Sequence, residues 1–295
     1  MSDMKAKKIE KIISEFNLLR RIDIAIDISA YYKECGYKSD NSLPVPTDDW
    51  KKFNSSVRMG GYDNHCWIYA EFKTPCNNDG NKQYRLVIDG GYSGAFNASR
   101  NPQCILYVNV NHTEYILEND TEYKVHIYYY SGLFNEEYNV KLKVMTSDLR
   151  IEKMYYDFKT AYDAAMLFED EDYKHTETIK HLNIAAQYLD FTEPYSDNFF
   201  NGAKEACRYL EENYYGQYPP HEATVDCVGH THIDVAWMWT YAQTKEKVQR
   251  SFSTVVELMK RYPEYRFTIS QPQLLEYLKE ESPEIYDEIK KLVKE

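Results

Sequence analysis

The chain has no excess of positive charge: 35 Lys and Arg stand against 47 Asp and Glu, for a net charge of −12. That balance repels a phosphate backbone unless the cations gather on one face, so no nucleic-acid partner is expected. It also has no CxxC pair. The cysteines at 35, 66, 76, 104, 207 and 227 are scattered, which argues against a zinc ribbon or a disulfide framework and predicts reduced thiols. Asn-x-Ser/Thr triplets such as Asn111 to Thr113 then carry no glycosylation meaning. No apolar run approaches the roughly 18 residues of a membrane span. The opening MSDMKAKKIEKIISEF is polar and helix-like, without the apolar block of a secretion signal. A cytoplasmic protein with no membrane partner is expected.

What is present is enough for more than one core: 295 residues, 43% of them hydrophobic. Tyrosine stands out with 29 copies, many in alternating patterns such as EYKVHIYYY. There the ring packs on a sheet while the hydroxyl stays in water, and a sugar-stacking surface is the alternative reading.

Texture divides the chain into regions. Residues 1–40 give a helix and a tether, leading into the proline-containing SLPVPTDDW. Over 41–150, short segments such as CWIYAEF, YRLVIDG, CILYVNV, EYILEN and YNVKLKVM recur with turn residues between them, the pattern of an antiparallel β-sandwich. The glycine-rich DGGYSGAFNAS, residues 89–99, matches neither phosphate-binding loop pattern and is expected to be a turn or bulge. Over 151–217 the apolar spacing becomes three and four, as at Ile179, Leu182, Ala186 and Leu189, predicting a helical connecting segment. His175 and His181 lie there without partners at ligand spacing and are expected at the surface. GQYPPHEAT reads as a linker. From 218 to 295 strand and helix patterns alternate: TVDCVG as a buried strand, a helix from Thr244, YRFTIS as a second strand, then two more helices. Such alternation predicts a mainly parallel sheet with covering helices, whose functional groups gather at the carboxyl ends of strands.

At such an end stands VGHTHIDVAWMW, residues 228–239. If the chain stays extended, positions 230, 232 and 234 share one side. Imidazole nitrogen and carboxylate oxygen both bind zinc at about 2.0 to 2.2 Å, so His230, His232 and Asp234 are candidate ligands, with further ligands required from elsewhere. The plainer alternative has the histidines hydrogen-bonded at a core edge and Asp234 capping the next helix. Trp237 is either core or a platform for the apolar face of a sugar.

Residues GHTHIDVAWMW, the following helix with Tyr-Pro-Glu near its end, and the strand ending in Ser-Gln-x-Gln closely resemble the opening of the catalytic domain in alpha-mannosidases of glycoside hydrolase family 38, over about residues 224–295. LVIDGGYSGAFNAS, YYDFKTAYDAAMLFED and ACRYLEENYYG resemble the preceding segment of the family's cytosolic and bacterial branch more loosely. In YVNVNHTEY relatives tend to have a glycine after the asparagine, so a different loop is expected. The resemblance implies a multidomain α and β protein: an N-terminal antiparallel β-sandwich, a helical segment, then the first part of a parallel, barrel-like α/β catalytic domain. It implies a zinc-dependent, retaining enzyme that removes terminal alpha-linked mannose from oligosaccharides. By position, His232 and Asp234 match zinc ligands and Trp237 matches an aromatic of the mannose subsite, while His230 supports the ligands without touching the Zn2+.

The family's nucleophile lies in a Trp-Val-Glu-x-Asp type motif, and no such motif occurs here. The expectation is an N-terminal piece of a longer enzyme, with nucleophile and acid/base beyond residue 295. Alone it is expected to be inactive, to hold zinc weakly, and to form a homo-oligomer through an exposed strand edge. Two rival readings remain. One is a different HxH metallohydrolase, amidohydrolase-like or metallo-beta-lactamase-like, although Val235 stands where the latter has its last histidine. The other is a non-catalytic carbohydrate-binding or assembly module.

Overall fold

The structure, a computed structural model, describes residues 2–38, 42–90, 103–108, 116–217, 225–237 and 239–294. The expected turn in DGGYSGAFNAS, the loop in YVNVNHTEY and the linker GQYPPHEAT lie wholly or largely outside those residues. Among the described residues the chain is mixed α and β, with antiparallel sheets and seven helices. The strands are β1 Arg21–Asp23, β2 Ser29–Cys35, β3 Lys51–Lys52, β4 Arg58–Gly60, β5 His65–Lys73, β6 Lys82–Asp89, β7 Gln103–Val108, β8 Ile116–Leu117, β9 Glu122–Tyr130, β10 Glu137–Asn139, β11 Lys141–Asp148, β12 Gly229–His230 and β13 Phe267–Thr268. The helices are α1 Ser2–Leu19, α2 Leu149–Ala165, α3 Tyr173–Ala185, α4 Asp197–Asn213, α5 Tyr241–Arg261, α6 Pro272–Glu281 and α7 Pro283–Leu292.

Two compact units are formed. The first combines Met1–Ile24, Asn77–Tyr84 and Met145–Val225. Its core joins Ile9 and Phe16 of α1 to Phe158, Leu182, Phe199 and Leu210 of α2, α3 and α4, the apolar stripes that the spacing predicts. Asp148 starts α2 by accepting from the amides of Arg150 and Ile151 at 3.0 and 3.4 Å, which satisfies donors that a helix terminus leaves open. Ser196 does the same for α4 through Phe199 at 3.1 Å. His175 corrects the surface expectation. It is 1% exposed, on the same buried stripe of α3 as Ile179 and Leu182, and its Nδ1 lies 3.2 Å from the Asp170 carbonyl oxygen. His181 is half-buried, its Nδ1 3.0 Å from the Tyr209 hydroxyl.

The second unit combines Ala25–Cys76, Arg85–Val144 and Asp226–Glu295. Its main sheet has the order β3-β2-β5-β9-β7, with every recorded pairing antiparallel. Strand β2 falls where a tether was expected. Its sequence, SAYYKEC, alternates poorly, and pairing with β5 from Ser29↔Glu71 to Cys35↔His65 decides its conformation.

Along β9 burial alternates at first and then becomes continuous from Val125 to Tyr130. The partner end of β5, His65 to Ile68, is likewise buried throughout, and His65↔Tyr130 are in register. A strand covered on both faces loses its alternation. Here Tyr128 meets α5 through Glu246. This changes the tyrosine expectation: the hydroxyls of Tyr128, Tyr129 and Tyr130 bond to protein groups, Glu246, the Met59 carbonyl and Asp63. Those three rings, at most 2% exposed, offer no stacking surface to a sugar.

Helices α5, α6 and α7 surround a small core of Ile233, Val248, Phe252, Leu274, Leu278, Ile285 and Ile289. Strands β12 and β13 pair in parallel over Gly229↔Phe267 and His230↔Thr268. The buried strand expected at TVDCVG is not observed: Val225 and Val228 are 80% and 55% exposed. A parallel strand reads as buried only when both faces and both neighbours cover it, and β13 is the neighbour that β12 has among the described residues.

Candidate metal and sugar site

Ile233 sets the geometry of the motif. It is 4% exposed and packs with Val248, Phe252 and Leu274, anchoring the chain just after β12. In an extended chain the flanking side chains turn the opposite way. His232 and Asp234 are accordingly outward, with side chains 72% and 40% exposed, and His232 Nε2 lies 3.0 Å from Asp234 Oδ1. His230 does not join them. Its Nε2 lies 2.9 Å from Ser270 Oγ, just beyond β13. Gly229 permits this strand pairing, because a Cβ there would run into the Tyr265 ring.

The plainer reading of the motif is corrected in one respect. Asp234 does not cap the next helix; Thr240 does, accepting from the Gln243 amide at 3.3 Å. Helix α5 starts three residues before the expected Thr244. Trp237 is 68% exposed in this chain, and its ring meets Trp239 edge to face at 5.6 Å between centroids. The Lys247 ammonium lies 4.3 Å from the Trp239 ring centre. Burial brings the Lys247 pKa down to about 8, Arg250 adding to the effect and Asp234 opposing it.

As a metal site the pair is partial. A nitrogen and an oxygen 3.0 Å apart are close enough for one ion to touch both at ligand distances of about 2.0 to 2.2 Å, and their exposure leaves room for other ligands. No group of three or more His, Cys, Asp or Glu able to hold a metal occurs among the described residues. The donors present fit two positions of a zinc shell.

A second polar cluster, which sequence reasoning did not single out, lies where α5 meets the main sheet. The Tyr128 hydroxyl donates to Glu246 Oε1 at 2.9 Å, lies 2.7 Å from His65 Nδ1 and accepts from the Lys38 amide at 2.9 Å. Arg250 Nη1 is 4.0 Å from Glu246 Oε2, an oxygen buried with no hydrogen-bond partner among the described residues, and Arg250 also donates to Gln103. Burial raises the Glu246 pKa to about 7 against the opposing pull of Arg250, and burial lowers that of His65. The charged run TKEKVQR was the available signal, but only the buried face of α5 separates Glu246 from the solvated charges beside it.

Residues 222–295 match the family described as "Glycosyl hydrolases family 38 N-terminal domain". The chain is similar to "Alpha-mannosidase G" of Dictyostelium discoideum, 30% identical over 154 residues that are 52% of this chain and 14% of that protein. It is similar to "Alpha-mannosidase" of Saccharomyces cerevisiae, 25% identical over 86% of this chain and 23% of that protein. With "Alpha-mannosidase 2C1" of Homo sapiens the identity is 35% over 37% of this chain and 10% of that protein. The chain therefore spans less than a quarter of the length of each of these relatives, and the match to the family 38 N-terminal domain rests on its residues 222–295.

Proposed function

We propose that the segment from Gly229 to Trp239 is the metal- and mannose-facing edge of a zinc-dependent, retaining alpha-mannosidase that acts on terminal alpha-linked mannose of oligosaccharides. The observation that carries this reading is the outward His232 and Asp234 pair, 3.0 Å apart, inside the segment that matches family 38. His232 and Asp234 would hold Zn2+, with His230 and Ser270 steadying the end of β12. When bound, the ion would grip sugar hydroxyls and help distort the ring. Trp237 offers its exposed face to the apolar side of the hexose. The nucleophile and the acid/base are assigned to parts of such an enzyme outside this chain, and a barrel-like catalytic domain beginning near residue 218 belongs to the same proposal.

The pair supplies two ligands, so the isolated chain should hold zinc weakly and hydrolyse nothing. The exposed Val225, Val228 and Val235 around β12 are surfaces that further strands, or a second copy of the chain, would cover. A cytoplasmic location accords with the thiols of Cys35, Cys66, Cys104 and Cys207, which form no disulfide among the described residues. No helix among the described residues is long and apolar enough to cross a membrane. The test is release of mannose from nitrophenyl alpha-mannoside by the full-length protein. Turnover that a chelator abolishes, zinc restores and Asp234→Ala removes is expected. Turnover indifferent to chelator and to Asp234→Ala would reject the reading.

A further inference from the structure

Thr244 sits in the first turn of α5 and is wholly buried. Its hydroxyl uses both of its roles on the segment that precedes the helix. It accepts from the indole Nε1 of Trp239 at 3.1 Å and donates to the backbone carbonyl oxygen of Asp234 at 3.3 Å. One side chain on a rigid helix thus ties down both ends of the loop that carries Asp234, Val235, Ala236 and Trp237. Trp239, fixed by that bond and by Lys247 over its ring, is in turn the wall against which Trp237 rests edge to face. A loop with two exposed, chemistry-bearing side chains has few apolar contacts of its own, and the bonds from Thr244 supply the order that burial does not.

We infer that Thr244 is a positioning residue, which holds Asp234 at the spacing from His232 needed for a divalent cation and holds Trp237, through Trp239, toward the sugar. The inference rests on the proposed zinc reading of His232 and Asp234. A hydroxyl that steadies a metal ligand without touching the metal typically affects affinity by about ten- to a hundredfold.

The experiment compares the whole chain with Thr244→Val, Thr244→Ser, His232→Ala and Asp234→Ala. Zn2+ affinity is measured by titration calorimetry, and solvent exchange of the Trp239 indole proton is followed by NMR without metal. Thr244→Val keeps the shape and loses the hydroxyl; Thr244→Ser keeps the hydroxyl. Zinc affinity about tenfold weaker in Thr244→Val, with faster indole exchange and near-parent values in Thr244→Ser, is the expected result. Parent-like zinc affinity in Thr244→Val, while Asp234→Ala weakens it, would overturn the role of Thr244 and leave the metal pair standing. Equal weakening by Val and Ser would overturn it in favour of simple packing. Parent-like affinity in His232→Ala and Asp234→Ala would overturn the metal reading itself, and this inference with it.

Discussion

Helix α5 serves two polar clusters of opposite character. On one, Thr244 reaches an open pair, His232 and Asp234, whose side chains are 72% and 40% exposed. On the other, Glu246 and Arg250 are folded under the main sheet against His65 and Tyr128, with the Glu246 side chain 3% exposed. The displaced pKa of Glu246 belongs to the buried cluster, and the family motif belongs to the open one. Burial alone displaces a carboxyl in this direction, so the displacement marks a structural joint between α5 and the sheet. An open pair is what an arriving cation and sugar require, and it can wait in water at little cost to the fold.

The largest effect that would break this comparison is on stability. Tyr128→Phe removes the hydroxyl shared by His65, Glu246 and the Lys38 amide and leaves buried groups without partners. A loss of about 2 kcal/mol in urea unfolding is expected, with zinc affinity unchanged. A change in zinc affinity without a change in stability would show that the two clusters are one.

The next effect concerns pH. Glu246 is raised from 4.5 to about 7 in the fold, so the native state holds a proton that the unfolded chain releases. Its contribution is fully present below 4.5 and is lost as pH rises through about 7. His65, lowered by burial, has the opposite sign: its contribution is present above 6.5 and falls away in acid. Between pH 6 and 8 the loss of the Glu246 contribution should lower parent stability by on the order of 1 kcal/mol, partly offset toward pH 8 by Lys247, whose pKa of about 8 gives it the opposite sign. Glu246→Gln should flatten that fall, as followed by urea unfolding across the range. A variant with the same slope as the parent would remove Glu246 as the cause.

The smallest effect sharpens the other side. His232→Ala, at an exposed position without a core role, should change unfolding free energy by less than about 0.5 kcal/mol while weakening zinc binding. Marked destabilisation would make His232 part of the joint.

Much of this organisation was legible in the residues, for reasons that differ by element. The stripe Ile179, Leu182, Ala186 and the alternation at the end of β5 near Lys73 and the start of β9 record which face meets a core, so periodicity reveals them. The HxHxD spacing revealed that His232 and Asp234 share a side, because Ile233 between them is a hydrophobic anchor. Strand β2 was not legible, since its pairing with β5 and not its own pattern makes it a strand. Nor were the depth of His175 or the buried tyrosine hydroxyls, which depend on what a separate element lays over them. The expected burial of TVDCVG failed for the converse reason: an apolar strand is buried only where neighbours exist to cover it.

The central claim is that His232 and Asp234 share one divalent cation. The direct test is anomalous scattering at the zinc edge from crystals of the full-length protein grown with Zn2+. The account predicts a peak within bonding distance of His232 Nε2 and Asp234 Oδ1; zinc bound elsewhere, with both side chains away from it, would contradict the account.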